Sequence, residues 1–476
     1  MKKRSFFFLV FVVLIFGSCH LDEIEFPFDS GIDESFGNFY ALKVEGEKNV
    51  WYRVDAPFVY EGTYCKIYVE KGQERRFLSL SEEFTQAKFL EKVKAIADEY
   101  DKKIQPAIVN AFGSIEDVDG DGKTLLLMLD IVDGYKLGSP AGYIGGFFQP
   151  DQMRSPKSFR YSNGADMLFI DTNPQTPGGI GFYSTIAHEL QHLIHYSQTV
   201  AKGKQNKDTW INEGLSCGAE YIYSGDNNSR IDYYARQQNN STSTLSTRQN
   251  TFYVWDGALI DYSTDYLFFQ WLRVHSKADK EIYKSVLQSL KPNYESVMEA
   301  IADSANGFYK PLTQWQDVLK HWFASNYFYE EKKIDNIGYK DFGAFIKNKL
   351  KTSLYLPNNT TLTMPFESGY EMGVKFRNGE GVLCKNLSDT TLTGKPGVSY
   401  SILESNAVFN DSVPFKAGGI LLVFNYETDP ASTGLEVRIP IGKNTLTTGR
   451  SAVLNINPFD SLPEIPAMRD FQFSGE

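Results

Sequence analysis

Residues 187–195 read AHELQHLIH, and this stretch decides how the rest of the chain is interpreted. His188 and His192 are four residues apart, so on a helix they lie on one face, one turn apart. Two imidazole nitrogens placed in this way can bind one metal ion, for which zinc is the usual choice. Glu189 projects from the same turn, where it could accept a proton from a water molecule that the metal activates.

The residues around this motif favour a buried helix. Leu190, Leu193 and Ile194 form an apolar flank at helical spacing. A Pro-Gly-Gly sequence at 177–179 and a glycine at 203 punctuate the two ends. The five-residue pattern arises by chance in roughly one chain of this length in a few hundred. A cluster of core or surface histidines is therefore the alternative to a metal site.

The third ligand is expected in residues 210–216, which read WINEGLS. Glu213 is the candidate, because two histidines, one glutamate and one open position make the arrangement of a catalytic zinc. Asp208 precedes the apolar start of the next helix and suits an N-cap better. Glu220 lies two turns after Glu213, from where it could orient a ligand histidine. Either glutamate could also be an ordinary solvated helix residue.

His195 is a less suitable ligand, although it lies close in sequence. It follows His188 by seven residues, which places it about 10 Å further along the helix axis. We therefore expect His195 to support a ligand or to pack in the core. A different known extension of the motif needs glycine at position 195 and histidine at position 198. This chain has His195 and Gln198 there, so that ligand scheme is absent.

Together, the motif at 188–192 and the Asn-Glu-Gly element at 212–214 resemble the glutamate-zincin metallopeptidases, most closely the hyicolysin-like family. The resemblance covers roughly residues 60–290 and is most specific at 185–220. It implies Glu213 as the third zinc ligand and a zincin-like catalytic domain, with a mixed sheet and active-site helices. It also implies hydrolysis of peptide bonds, with zinc as cofactor and proteins or peptides as substrates.

A hydrogen-bond donor is further expected to stabilise the oxyanion of such a reaction. The family shows a tyrosine followed by an apolar helix, which here resembles Tyr262 and the residues up to Leu272. Tyr262 is therefore the candidate for a second catalytic residue. Tyr253 and Tyr266 remain alternatives, and all three could simply be packed aromatic residues.

An aspartate-rich turn precedes the apolar segment that begins at residue 124. Asp117, Asp119 and Asp121, followed by Gly122, match the start of a calcium-binding loop. The twelfth position of that loop is Met128, where an EF-hand requires a bidentate glutamate. The turn is therefore either a smaller Ca²⁺ site or a connection between strands.

The N-terminus resembles a bacterial lipoprotein signal of the Bacteroidetes type. A basic start at residues 2–4 precedes an apolar run at 6–16, which is too short to span a membrane as a helix. Gly17 and Ser18 then precede Cys19, which would become the lipidated residue after cleavage. An ordinary signal peptide with an incidental cysteine is the alternative. The expected location is the cell envelope, anchored by lipid to the outer membrane and exposed at the cell surface.

The charge of the chain argues against nucleic-acid partners. The formal net charge is -11, and removal of residues 1–18 with their three basic side chains makes it -14. A chain this acidic is repelled by phosphate backbones and by anionic membrane surfaces. The N-terminal lipid is therefore the expected membrane contact.

Length and composition predict an α+β protein with several domains. A mature chain of this size is too long for one core, and its many aromatic residues suggest much β structure. After residue 352, strand-like segments alternate with turns, as in a β-sandwich. The predicted units are a signal peptide at 1–18, a linker and small β region at 19–79, a zincin-like catalytic domain at 80–352, a β-sandwich at 353–445 and a tail at 446–476.

A second class of function remains open from the sequence. The chain could be a non-catalytic surface lipoprotein with a relic or structural metal site, whose β-sandwich binds glycan or protein. The intact Glu189 favours the enzyme, because a relic has no need of the base. A metal hydrolase with a non-peptide substrate would use the same ligands.

Overall fold

The structure is a computed structural model. It describes residues 37–46, 48–136, 143–225, 228–239, 253, 255, 257, 259–328, 336–339, 370–376, 381–385, 398–403, 409–410, 420–429 and 435–441. The predicted signal peptide, Cys19 and the predicted tail at 446–476 lie outside the described residues. Among the described helices, none is both long enough and apolar enough to cross a membrane.

A mixed five-stranded sheet organises the metal-motif region. In spatial order its strands are β3 (Phe58–Glu61), β4 (Cys65–Val69), β5 (Thr124–Leu129), β7 (Met167–Asp171) and β6 (Gly146–Phe148). The three central strands are parallel, whereas both outer strands pair antiparallel to their neighbours. The mixed sheet that the family resemblance implied is therefore present.

Both faces of the sheet are covered, which explains the unbroken apolar sequence of β5. Leu126 and Met128 point to the helical side of the sheet, while Leu125 and Leu127 point to the other side. That second side is covered by a hairpin of β1 (Asn38–Glu45) and β2 (Lys48–Asp55). A strand buried on both faces needs apolar residues at successive positions, without alternation.

The sequence of residues 82–112 predicts a helix from Glu82 to about Ile108, and the observed helix begins later and ends later. It consists of α1 (Gln86–Glu99), a π-helical turn at Tyr100–Ile104 and α2 (Gln105–Phe112). Thr85 sets the start, because its side chain accepts a hydrogen bond from the backbone N–H of Lys88. Pro106 follows this π-helical turn and lacks the N–H that would continue the hydrogen-bond ladder, which accounts for an irregular turn at this point of the helix.

Seven further helices complete the described helical region. They are α3 (Ile180–Gln198), α4 (Thr209–Ser224), α5 (Asn228–Asn239), α6 (Leu259–Val274), α7 (Glu281–Gln288), α8 (Glu295–Ala302) and α9 (Trp315–Phe328). Three fully buried tryptophans, Trp210, Trp271 and Trp322, lie in the core between them. The apolar residues of α6 from Leu267 to Leu272 lie in the same core.

Two glycines allow α4 to pack closely against its neighbours. A Cβ atom at Gly214 would lie 2.3 Å from the ring of Phe269 on α6. A Cβ atom at Gly218 would lie 3.0 Å from the ring of Tyr283 on α7. The backbone of α4 thus approaches aromatic side chains directly, and this contact sets where the helix lies.

The described strands after residue 352 form two antiparallel sheets. One has the order β11 (Phe409–Asn410), β10 (Val398–Leu403), β12 (Ile420–Asn425) and β9 (Gly381–Lys385), and the other pairs β13 (Leu435–Ile441) with β8 (Tyr370–Phe376). Leu422 and Phe424 of β12 are buried in the same core as α9, where Phe424 lies 5.6 Å from the ring centroid of Phe323. The boundary predicted at 352/353 stays a prediction.

Replacing Gly214 with alanine should destabilise the protein. The added methyl group has to displace the Phe269 ring, and overpacking of this kind costs about 1–3 kcal/mol. Chemical denaturation would measure the free energy of unfolding. Gly181→Ala on α3 is the matched control, since its Cβ would meet only a flexible glutamine amide at 3.4 Å. Equal stabilities of the two variants would show that α4 does not depend on this close approach.

Candidate metal centre

Helices α3 and α4 carry the predicted ligands and pack side by side. His188 is fully buried near the middle of α3, and Glu213 is buried in the second turn of α4. Asp208 occupies the N-cap position of α4, as expected, although its side chain makes no capping hydrogen bond. The two helices therefore present their polar residues to each other inside the core.

The three predicted ligands converge on one point. Glu213 Oε2 lies 3.3 Å from His188 Nε2 and 3.4 Å from His192 Nε2. One donor atom from each residue lies within 4.8 Å of the other two. Two imidazole nitrogens and one carboxylate oxygen are the donor set of a catalytic zinc, so the residues present fit that ion.

The charges of these residues support one another despite their burial. Burial would raise the pKa of Glu213, but His192 and His188 outweigh it and hold that pKa well below its usual range. Burial would likewise lower the pKa of His192, but the carboxylates of Glu213 and Glu189 raise it. Glu213 is thus held as a carboxylate, the form that binds a cation.

The outward nitrogen of each histidine also has an acceptor. His188 Nδ1 lies 2.7 Å from Glu220 Oε1, and His192 Nδ1 lies 3.1 Å from Asn212 Oδ1. An acceptor at Nδ1 holds the proton on that atom and leaves Nε2 for a metal. The structure thus places Glu220 where the sequence predicted an orienting residue.

Arg230 on α5 completes the contact behind His188. Its Nη2 donates to Glu220 Oε1 over 2.7 Å. Burial would raise the pKa of Glu220, but the charge of Arg230 and the contact with His188 lower it to about 2. Neither Arg230 nor Asn212 was predicted from the sequence. Asn212 could have been found, because it directly precedes Glu213, whereas no spacing pattern pointed to Arg230.

His195 lies in the core rather than against the ligand atoms. Both of its ring nitrogens are buried, and neither hydrogen-bonds to His188, His192 or Glu213. Burial lowers the pKa of His195 to about 3, so its ring is neutral. Its role in supporting a ligand stays a prediction.

The side chain of Glu189 projects from α3 towards strand β6 of the sheet. A Cβ atom at Gly146 of β6 would lie 3.0 Å from Glu189 Cγ and 2.9 Å from Thr185 Cγ2. Gly146 therefore allows the edge strand to lie directly against the residue predicted to be the base. In the described sheet, β6 pairs with β7 on one side only.

The three candidate tyrosines have different surroundings. The Tyr262 ring packs against Trp255, and the guanidinium of Arg230 lies 5.1 Å from its centroid. Tyr253 donates its hydroxyl to the backbone carbonyl of Glu427 over 2.8 Å, and Tyr266 is fully buried. Arg230 thus contacts both the Tyr262 ring and Glu220. The catalytic role of Tyr262 stays a prediction.

The aspartate-rich turn brings its three carboxylates together. One oxygen from each of Asp117, Asp119 and Asp121 lies within 4.8 Å of the others. Burial, with the charge of Asp121, raises the pKa of Asp119 to about 6. Lys66 Nζ lies 2.8 Å from Asp121 Oδ2 and already supplies a positive charge there. Calcium binding at this turn stays a prediction.

Glu220→Gln should weaken metal binding. The change removes the negative charge that faces His188 Nδ1 and pairs with Arg230, and loss of such a partner costs about 10- to 100-fold in affinity. Competition with a chromogenic chelator would measure the dissociation constant. Glu299→Gln is the control, since its carboxylate accepts a hydrogen bond from Ser289 on the chain surface. An unchanged constant in Glu220→Gln would show that this carboxylate does not orient His188.

Comparison with known proteins relates part of the chain to a bacterial metalloprotease. The chain is similar to the neutral metalloprotease ShpI of Staphylococcus hyicus, with 32% identity over 220 residues. The match covers 44% of this chain and 48% of the relative, so the chain spans about half the length of the curated relative that it matches. No family model matches the chain. The chain is thus similar, over part of its length, to a metalloprotease.

Proposed function

We propose that this protein is a zinc-dependent endopeptidase of the glutamate-zincin type, similar to the hyicolysin-like family. The observation that carries the proposal is the convergence of His188 Nε2, His192 Nε2 and Glu213 Oε2 from two helices. The partial match to a neutral metalloprotease supports it. The intact carboxylate of Glu189 beside these ligands favours a catalytic site over a structural one.

The chain's own residues can be assigned to the steps of peptide hydrolysis. His188, His192 and Glu213 would hold the zinc ion, which when bound supplies a Lewis acid that polarises a carbonyl and makes water more acidic. Glu189 accepts the proton from the attacking water and passes it to the leaving amine. Tyr262, near the start of α6, is the proposed donor to the oxyanion, because it resembles the tyrosine that precedes an apolar helix in the family.

An extended peptide is the substrate that this arrangement favours. Strand β6, which lies beside Glu189, is an outer strand of the sheet among the described residues, and a substrate strand could add to it through backbone hydrogen bonds. Such binding would place a peptide bond alongside α3, close to the proposed base. The close approach of Gly146 to Glu189 supports this path, because it brings the outer strand next to the proposed base.

The remaining proposals concern location and a second metal. We propose lipidation at Cys19 and attachment to the outer membrane, on the grounds of the N-terminal sequence. We also propose Ca²⁺ binding at the turn that brings carboxylate oxygens of Asp117, Asp119 and Asp121 within 4.8 Å of one another. Glycan or protein binding by the C-terminal strands is proposed from their sequence pattern alone.

The purified chain should contain about one zinc ion, which alanine at His188, His192 or Glu213 removes. Each substitution deletes one of the three protein ligands of a four-coordinate site. Elemental mass spectrometry would measure the zinc content. His321→Gln is the control, because His321 lies on α9 and bonds to a backbone carbonyl of that helix. A wild-type chain that stays free of zinc after zinc is added would overturn the enzyme proposal.

Glu189→Gln should retain zinc and lose hydrolysis. The amide keeps the shape of the side chain but cannot accept the proton, and loss of a general base costs at least about 100-fold in rate. Cleavage of fluorescently labelled casein would measure activity, with zinc content measured on the same sample. Equal activity of the variant and the wild type would show that another residue is the base. A wild type that binds zinc without cleaving any substrate would favour the non-catalytic lipoprotein.

A further inference from the structure

A buried hydrogen bond joins α3 to α4 beside the candidate ligands of both helices. Ser216 Oγ donates to Gln191 Oε1 over 2.5 Å, and both residues are fully buried. Gln191 directly precedes His192 on α3, and Ser216 follows Glu213 by three residues on α4. The bond thus crosses between the helices at the level of the metal centre.

The same hydroxyl contacts the imidazole of His192. Ser216 Oγ lies 3.1 Å from His192 Nδ1, the nitrogen that faces away from Glu213. A histidine that binds a metal through Nε2 carries its proton on Nδ1, so this nitrogen must donate. The Ser216 hydroxyl has one proton. Its shortest contact, with Gln191 Oε1, directs that proton to Gln191 rather than to the backbone carbonyl oxygen of Asn212 at 3.1 Å. Its lone pairs are then available to His192.

The amide of Gln191 is expensive to bury, which points to a use for its oxygen. Its Nε2 atom has no hydrogen-bond partner in the described part of the chain. An apolar side chain would avoid this desolvation cost, but it could not accept the proton of Ser216. The carbonyl oxygen therefore fixes the direction of the hydroxyl, and the hydroxyl fixes the ring of His192.

We propose that Gln191 and Ser216 are positioning residues for the metal centre. Their hydrogen bond holds α3 at a set distance from α4, and it makes Ser216 a second acceptor for His192 Nδ1 beside Asn212. This inference rests on the proposed metal site. It concerns the affinity and geometry of that site, which can be measured without any peptidase activity.

Gln191→Met and Ser216→Ala each break this contact while keeping the buried volume similar or smaller. Each variant should raise the dissociation constant for Zn²⁺ by about 10- to 100-fold. The double variant should bind about as weakly as the weaker single variant, because either change alone removes the same interaction. Ser216→Thr keeps the hydroxyl, so this variant should retain most of the wild-type affinity for Zn²⁺.

A spectroscopic readout separates positioning from mere stabilisation. The visible spectrum of the Co²⁺-loaded protein depends on ligand geometry, and it should change in Gln191→Met and Ser216→Ala. Ser197→Ala is the matched control, because this buried serine of α3 bonds to Leu193 O and Glu116 N without contacting a ligand. That variant should lose thermal stability and keep both the Zn²⁺ affinity and the Co²⁺ spectrum.

The proposal is overturned if Gln191→Met and Ser216→Ala bind Zn²⁺ and Co²⁺ like the wild type and only melt at a lower temperature. A double variant whose loss is the product of the single losses would also contradict it, since the residues would then act independently. Metal binding by the wild type without hydrolysis would sink only the peptidase proposal. A wild type that binds no metal would overturn both.

Discussion

The contact between α3 and α4 is the interaction on which the rest of the structure depends. It brings a buried carboxylate oxygen of Glu213 to within 3.3 Å of the buried His188 Nε2, and to within 3.4 Å of Nε2 of His192, whose side chain is partly exposed. Buried polar atoms are stable only when their partners are held in place. The covered sheet beneath α3, and the glycines that bring α4 close to α6 and α7, supply that rigidity.

From this contact outward, acidic and basic side chains alternate, and each one compensates the charge of the next. Glu213 faces the two histidines, Glu220 faces His188 from behind, and Arg230 neutralises Glu220. A buried carboxylate without such a partner would be held protonated by desolvation and could not orient an imidazole. The site therefore needs α5 as much as it needs the two helices that carry the ligands.

The residues that could be predicted from the sequence are those related by spacing along a single helix. The four-residue separation of His188 and His192, and the two-turn separation of Glu213 and Glu220, both follow from helical periodicity. Arg230 and Gln191 could not be found in this way, because their roles depend on which helices meet. The late start of α1 at Gln86 was missed for a local reason, since Thr85 ends the preceding segment with a capping hydrogen bond.

Strand β12 has a consequence for how the protein reaches its folded state. Its residues Leu422 and Phe424 fill space beside α9 in the core that also contains the ligand-bearing helices. Domains generally fold in order as the chain is synthesised. A core that is completed by residues 420–425 can close only after most of the chain has left the ribosome. Maturation of the metal centre is thereby tied to synthesis of the chain at least as far as β12.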